Sequence, residues 1–361
     1  MATCPAIKSA LRIWSDSRAA QVFIGSPYRS ICLSSLWFGV STRLLLEALN
    51  GRTSLEQISQ RCGLALPHIQ ALIDELQAHG LIDLERTAIS YLKRYDPALR
   101  AVAPVADLEE FNEDLAARSF VRRMEIESEA ASLSRGDIDG GRSAVLRRRD
   151  FSILVFGYGK IVNALIGSLS ASGFTKTLVI NRLAQRSQAL KILESDLSGG
   201  YISRSDIGAS RKEVLSRARS SSALFTEAMP VIYRPKLIIS IGPPTADAMQ
   251  RWISEGSSHL IVEAHSSAEV RIGPFVIPGK SPCYRCLQLS QRPNQSIGEA
   301  KEVGSALALA CAGLICLEVI NLASSGIGHF LARSHIYSNS NFHNPKVERW
   351  AINPECGCNW R

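Results

Sequence analysis

Four cysteines in two close pairs constrain the fold of this chain more than any other feature. Cys283-Tyr-Arg-Cys286 supplies one pair and Cys356-Gly-Cys358 the other. A Cys-x-x-Cys turn sets two sulfurs on one side of a metal, and a Cys-x-Cys turn with Gly at its centre can supply two more. Four thiolates suit tetrahedral Zn²⁺ and leave no open coordination position, so the expected role is structural. Such a site obliges residue 358 to return to residue 283. The alternative readings are a disulfide pair or unrelated buried thiols. Nine cysteines, an odd number, argue against a disulfide framework. A thioredoxin-like redox role for Cys283 and Cys286 is disfavoured, because the pair follows no first strand and opens no obvious helix. Cys311 and Cys316 sit in an apolar stretch and read as core thiols.

From Asp150 onward the pattern is α/β. Phe151–Phe156 is an apolar strand that runs into Gly157-Tyr-Gly159, and Ile161–Ser172 is an amphipathic helix stopped by Gly173. Thr175–Asn181, Lys236–Gly242 and His259–Ala264 read as further buried strands, while Ser195–Ala223 shows no readable element. Strand, glycine turn and helix form the context of a dinucleotide loop. However, Val162 takes the third glycine position and Asn181 stands where a ribose-binding acid belongs. Gly157 and Gly159 are therefore read as a vestigial nucleotide loop. No Gly-x-Ser-x-Gly elbow, Walker lysine or His-Glu-x-x-His is present.

The first hundred residues read as a winged helix-turn-helix. Gln21–Leu33 has two apolar stretches broken at Gly25-Ser26-Pro27, as in a hairpin. Leu36–Asn50 is expected to be one helix ended by Gly51. Thr53 with Glu56, or Ser54 with Gln57, suggests a capping box, and Pro67–His79 a third helix stopped by Gly80, with Ile69, Leu72, Ile73 and Leu76 inward. Leu81–Glu85 alternates as an exposed edge strand would. Residues 101–149 are expected to be a helical connector and linker, and residues 150–361 the Rossmann-like domain.

At 46% hydrophobic and 20% charged residues the chain is globular in composition. Lys+Arg 41 against Asp+Glu 33 gives 41 − 33 = +8. Apart from Arg147-Arg148-Arg149 the basic residues are dispersed, and the third helix carries no Lys or Arg, so nucleic acid is not an expected partner. The apolar run between Glu302 and Glu318 is shorter than the roughly 20 residues of a bilayer span and reads as a buried helix, with no membrane expected. The N-terminal residues lack a secretory pattern, so a cytoplasmic location is expected.

Ile272–Leu289 (IGPFVIPGKSPCYRCLQL) and Asn353–Cys358 (NPECGC) resemble the leader-binding component of azoline-forming cyclodehydratases, members of the ThiF-like, ubiquitin-activating-enzyme superfamily. The resemblance extends over essentially the whole chain. It implies an α/β protein with an N-terminal winged-helix peptide-recognition domain and a ThiF-type domain carrying a structural zinc. It also implies leader-peptide binding at the wing, where Leu72, Ile73, Leu76 and His79 would line a groove beside the edge Leu81, Ile82, Asp83, Leu84 and Glu85. A separate YcaO protein would use ATP to form thiazolines and oxazolines from Cys, Ser and Thr of a ribosomal precursor. A flavin-dependent azoline dehydrogenase could join the same complex, and a homodimer is expected. A fused YcaO domain is not expected.

Adenylating members of the superfamily carry acidic residues where this sequence reads Val179–Leu183 and Ile238–Pro244, neither of which holds a carboxylate. Mg²⁺ and nucleotide phosphates need such oxygens, so ATP use by this chain is not expected. The other readings are an adenylating enzyme acting on a peptide carboxyl terminus and a zinc-containing winged-helix transcription factor.

Overall fold

In a computed structural model of the chain, residues 4–8, 11–16, 18–26, 29–84, 123–124, 126–131, 141–180, 190–198, 200–224, 234–290 and 302–358 are described. The chain divides into two compact units, Met1–Leu146 and Arg147–Arg361.

In the first unit, β1 (Ala6–Ile7) precedes a three-stranded antiparallel sheet of β2 (Arg12–Asp16), β3 (Gln21–Ser26) and β4 (Arg29–Ser34) in the order β2-β3-β4. The expected hairpin is present, with Ser26 paired to Arg29, and β2 is an additional strand that its polar sequence concealed. The expected helix over Leu36–Asn50 is shorter. Leu36–Trp37 (β5) and Val40–Ser41 (β6) form a two-residue hairpin, and helix α1 begins at Thr42 and ends at Ala48. Phe38 and Gly39, at φ 48° and 86°, make the turn. Tertiary contacts hold it: the Trp37 indole N–H donates to the His68 carbonyl at 2.8 Å, and Phe38 stacks on the His68 ring at 3.8 Å. Periodicity could not register either contact.

Helix α2 (Leu55–Cys62) starts at the second of the two expected capping boxes. Ser54 Oγ accepts from Gln57 N–H and Gln57 Oε1 accepts from Ser54 N–H, which satisfies two otherwise orphaned donors. Gly63, at φ 63°, terminates it. Helix α3 (Leu66–Ala78) carries Pro67 in its first turn and buries Ile69, Leu72, Ile73 and Leu76. These side chains meet Val22, Ile24 and Leu33 of the sheet and Leu45, Leu46 and Ile58 of the other helices in one core. The returning strand β7 (Ile82–Asp83) pairs antiparallel with β1, not with the hairpin. Leu81 and Ile82 are buried, which alternation did not suggest, and among the described residues β7 pairs with β1 alone. Glu85 and most of the connector 101–149 lie outside the described residues.

Helix α4 (Arg142–Arg149) leads into the second unit, a seven-stranded mixed sheet in the order β14-β13-β12-β11-β10-β8-β9. The parallel part is β8 (Ile153–Phe156), β9 (Thr177–Ile180), β10 (Leu237–Ile241) and β11 (His259–Ser266). These are the four strands expected from the sequence. Helices on both faces leave them few exposed positions, which is why they read as unbroken apolar runs. β12 (Glu269–Val276), β13 (Arg333–Ser338) and β14 (Lys346–Arg349) extend the sheet antiparallel.

The region 195–223 resolves into two 3₁₀ turns, Glu194–Asp196 and Arg204–Asp206, followed by helix α6 (Arg211–Ser222), after α5 (Lys160–Ala171). Helices α7 (Ala246–Ser254) and α8 (Tyr284–Ser290) come next, and α9 (Ser305–Ser325) packs on α5. Ala308 and Ala312 lie in this shared core among Leu165, Ile166 and Leu169, where small side chains permit close approach.

At 21 residues α9 is longer than the expected apolar run and, by length and composition, could cross a membrane. Half of its apolar window is buried, and the buried Glu318 accepts from Phe330 N–H at 3.2 Å. The arginine run is likewise put to structural use. Buried Arg148 donates from Nη1 to the Ser172 carbonyl at 2.9 Å, capping the end of α5.

Candidate metal centre and glycine-turn crevice

The sheet brings together four sulfurs 72–73 residues apart in sequence. Cys283 lies just before α8, Cys286 in its first turn, and Cys356 in the 3₁₀ turn Pro354–Cys356. The motif therefore does open a helix, contrary to the expectation from sequence. Asn353 Oδ1 accepts from Glu355 N–H, and Gly357 at φ 69° reverses the chain to bring Cys358 inward. Sγ–Sγ separations are 3.3 Å for Cys283–Cys356, 3.4 Å for Cys286–Cys358 and 3.8 Å for Cys283–Cys286, with all four sulfurs within 4.8 Å of one another. A tetrahedron with Zn–S bonds of ~2.3 Å has edges of about 3.8 Å, so the four sulfurs fit Zn²⁺.

The chemistry of the donor set agrees with this geometry. Burial pushes the Cys283 thiol well above its ordinary range and the Cys358 thiol up to about 11. Burial acts the same way on Cys286, but N–H donation from Asn353, at 3.4 Å, and from the Cys283–Cys286 turn outweighs it and holds that thiol low. A bound dication would supply the positive charge that lets the other thiols ionise as well.

Tyr284 ties this knuckle to the sheet. Its ring is fully buried beside Ile261 and Leu287, and its hydroxyl donates to Glu263 on β11. Glu263 in turn faces Arg271 Nη1 on β12 at 3.4 Å. Burial raises both Glu263 and Tyr284 above their ordinary ranges.

The second arrangement lies at the ends of β8 and β10, where the strand order reverses and open α/β sheets take ligands. Gly157, at φ 135°, abuts β10 so closely that a Cβ would lie 2.6 Å from the Ile241 carbonyl oxygen. Gly157→Ala is therefore expected to cost roughly 1–3 kcal/mol, read as a lowered denaturation midpoint at unchanged slope. A shift below 0.5 kcal/mol would contradict that close approach.

Gly159, at φ 92°, is the N-cap of α5 and has open space where a Cβ would be. Tyr158, between the glycines, lies under Arg211, whose guanidinium carbon is 5.8 Å from the ring centroid. Arg211 grips Asp196 with two parallel bonds of 2.8 and 2.7 Å, and Asp196 also accepts from Asn163 Nδ2 on α5 and from Leu193 N–H. Asp196 and Arg211 are both buried. Pattern reading missed this pair because neither residue belongs to a periodic element visible in the sequence. Asn181 lies outside the described residues.

The sequence-selected wing residues separate into two groups. Leu72, Ile73 and Leu76 are 0–1% exposed and form the unit's core, not the surface of a groove. His79 is exposed, with Nε2 3.4 Å from Glu75 Oε1. Ile82 and Asp83 pair with β1, and Leu84 packs at the edge of the core.

No family model matches the chain, and no curated protein matches it in sequence. Solved structures share its fold. E. coli MccB with MccA-N7isoASN superposes with TM-score 0.61 at 12% identity, covering 99% of each chain. E. coli MccB with ATP gives the same score, identity and coverage. PaaA gives 0.62 at 14%, covering 96% of this chain and 100% of that one. The likeness spans both units and establishes a Rossmann-like, ThiF-type fold.

Proposed function

We propose that this chain is the non-catalytic recruiting subunit of an ATP-dependent cyclodehydratase. It would hold the leader of a ribosomal precursor peptide while a separate YcaO protein forms the azoline rings. The observation that carries the reading is the state of the crevice. The strand end facing Gly157 continues as Gly242-Pro243-Pro244, and the carboxylate beneath the loop, Asp196, is consumed by Arg211. A Mg²⁺–nucleotide would need free anionic oxygens there. The closed four-sulfur site supports the same reading, because a metal held by four thiolates has no position left for a substrate. The similar fold of MccB, solved with MccA and with its N-formylated form, supports peptide handling.

The recruiting surface we propose is the outer edge of β4, because Leu72, Ile73, Leu76, Leu81 and Ile82 are buried in the core of the first unit. β4 ends the sheet and pairs only with β3 among the described residues. Antiparallel ladders turn the main-chain groups of alternate residues outward. Ser34 is one of these, its carbonyl accepting from Thr42 Oγ1, and Cys32 and Ser30 share its phase. Such an edge accepts an extended peptide by main-chain hydrogen bonds. The opposite edge, β2, carries Arg12 and Asp16, charges that discourage pairing. Tethering would raise the local concentration of core Cys, Ser and Thr at the partner's active site. A homodimer, a cytoplasmic location and an azoline dehydrogenase in the complex belong to the same proposal.

The second reading is an adenylating enzyme, which the crystallisation of MccB with ATP favours. One pair of measurements on the full chain separates them. Fluorescence anisotropy with the labelled leader of the precursor encoded beside this protein should show saturable binding, weakened at least tenfold by Cys32→Pro, which removes an outward N–H. ATP–pyrophosphate exchange should stay at background with the precursor present. Exchange well above background would establish the adenylating reading, and absence of leader binding would end the recruiting one.

A further inference from the structure

The solvent face of the three-stranded sheet carries a row of side chains in register. Trp14 on β2 is opposite Phe23 on β3, and Phe23 is opposite Cys32 on β4. The inward rows are different: Ile13, Ile24 and Ile31 form one, and Val22 and Leu33 belong to another, all packed on the helices. Trp14 and Phe23 stack nearly parallel, with centroids 5.6 Å apart and planes 8° apart, yet Trp14 remains 40% exposed. Exposed aromatic surface on the solvent face of a small sheet is costly unless something covers it. The row then steps down in size. Cys32 is exposed and small, and on one side of Phe23 the next residue to share its face is Gly25, with no side chain at all. Beyond Cys32 the row ends at the outer side of β4, which pairs with no strand but β3 among the described residues.

We infer that Trp14, Phe23 and Cys32 form a reading row that selects an extended peptide with one bulky apolar or aromatic side chain opposite Cys32. This deepens the strand-addition reading above and rests on it. Strand neighbours lie about 4.8 Å apart, so a residue opposite Cys32 sits one spacing from the thiol and two from Phe23. Its side chain falls on the same face as the row by the period of two. A large apolar group there leans across Cys32 onto Phe23 and extends the stack, and a charged one leaves the aromatic row uncovered. Main-chain bonds from β4 would supply affinity for any strand, and this one position would supply selectivity. The same geometry makes Cys32 a reporter, because directly opposed antiparallel residues have Cα atoms about 4.5–5.5 Å apart, within disulfide range.

The test uses synthetic leader peptides, each with one cysteine moved along the sequence, incubated with the full chain and oxidised glutathione. Protein and peptide thiols form one disulfide, and their two electrons and two protons reduce one oxidised glutathione to two reduced molecules. One position should cross-link to Cys32 in high yield, with the product absent from Cys32→Ser. The native residue at that position should be bulky and apolar. Its replacement by Asp should weaken binding at least tenfold, and Trp14→Ser, checked for an unchanged melting curve, should weaken the native peptide while leaving the Asp peptide unaffected. A peptide that binds but cross-links at no position, or at one whose side chain can be changed without effect, overturns the reading row and leaves recruitment intact. Leader binding lost altogether overturns recruitment, and this inference with it.

Discussion

Cys356→Ser should leave the protein without its metal and with a much less stable second unit. Cys356 stands 3.3 Å from Cys283, and with Cys358 it supplies the half of the site that ties the chain's end to α8. Losing one thiolate from a closed set removes a ligand that water replaces poorly, and the remaining thiols are left crowded and partly buried. Structural Zn²⁺ contributes apparent free energies of roughly 10–16 kcal/mol in small zinc-finger peptides. Here a large sheet core shares the burden, so the expected loss is a fraction of that. About 4 kcal/mol would lower the melting midpoint of a unit this size by roughly 8–16 °C.

Metal analysis should fall from about one zinc per chain to near zero, with the remaining thiols of the site becoming open to alkylation. Cys32→Ser, on the exposed strand β4, is the matching control and should change neither quantity. Acidification should act in the same direction, since protons compete with the metal for the sulfurs. A wild-type chain purified without metal, with all four thiols alkylated while folded, would sink the structural site.

Arg211→Ala should be nearly as damaging by a different route. The substitution leaves the Asp196 carboxylate buried with only the Asn163 amide and the Leu193 N–H as partners. Breaking a buried pair from one side costs about 3–5 kcal/mol, mostly the burden of the stranded charge. The double variant Arg211→Met/Asp196→Leu should recover much of that loss, because no buried charge remains. A single-variant cost below about 1 kcal/mol, or a double variant worse than the sum of the singles, would show that the pair carries no such energy. Tyr158 loses its cation neighbour in either case, so amide exchange at the glycine turn should accelerate even where the double variant restores the midpoint. The pair is thus proposed to brace the turn through Tyr158, which fits a loop kept for its shape.

What could be read along the chain followed the range of each interaction. The Ser54–Gln57 box, one of the two expected, and the Pro67 start depend on residues within four positions, and both are present. The parallel strands were legible because burial on both faces writes a continuous apolar run. Leu36–Asn50 failed as a single helix because its first six residues answer to His68, a contact made in space. Leu81–Glu85 looked like an exposed edge because apolar and acidic residues alternate there, while Leu81 and Ile82 are buried in a core shared with Leu45, Leu46 and the three-stranded sheet, distant in sequence.

The amino-acid sequence by itself determined the thiol set, the glycine turn, the α/β character of the second unit and helices α2 and α3 of the first. Those features rest on residue chemistry and on periods of two and 3.6, both carried by neighbouring residues. Tertiary structure alone decided that Arg211, over the Tyr158 ring, closes on Asp196, that Tyr284 fastens the cysteine turn to Glu263, and that β4 pairs with β3 alone among the described residues. Each of these depends on which distant segments share a buried volume, and packing of the whole chain sets that, with no local pattern to announce it.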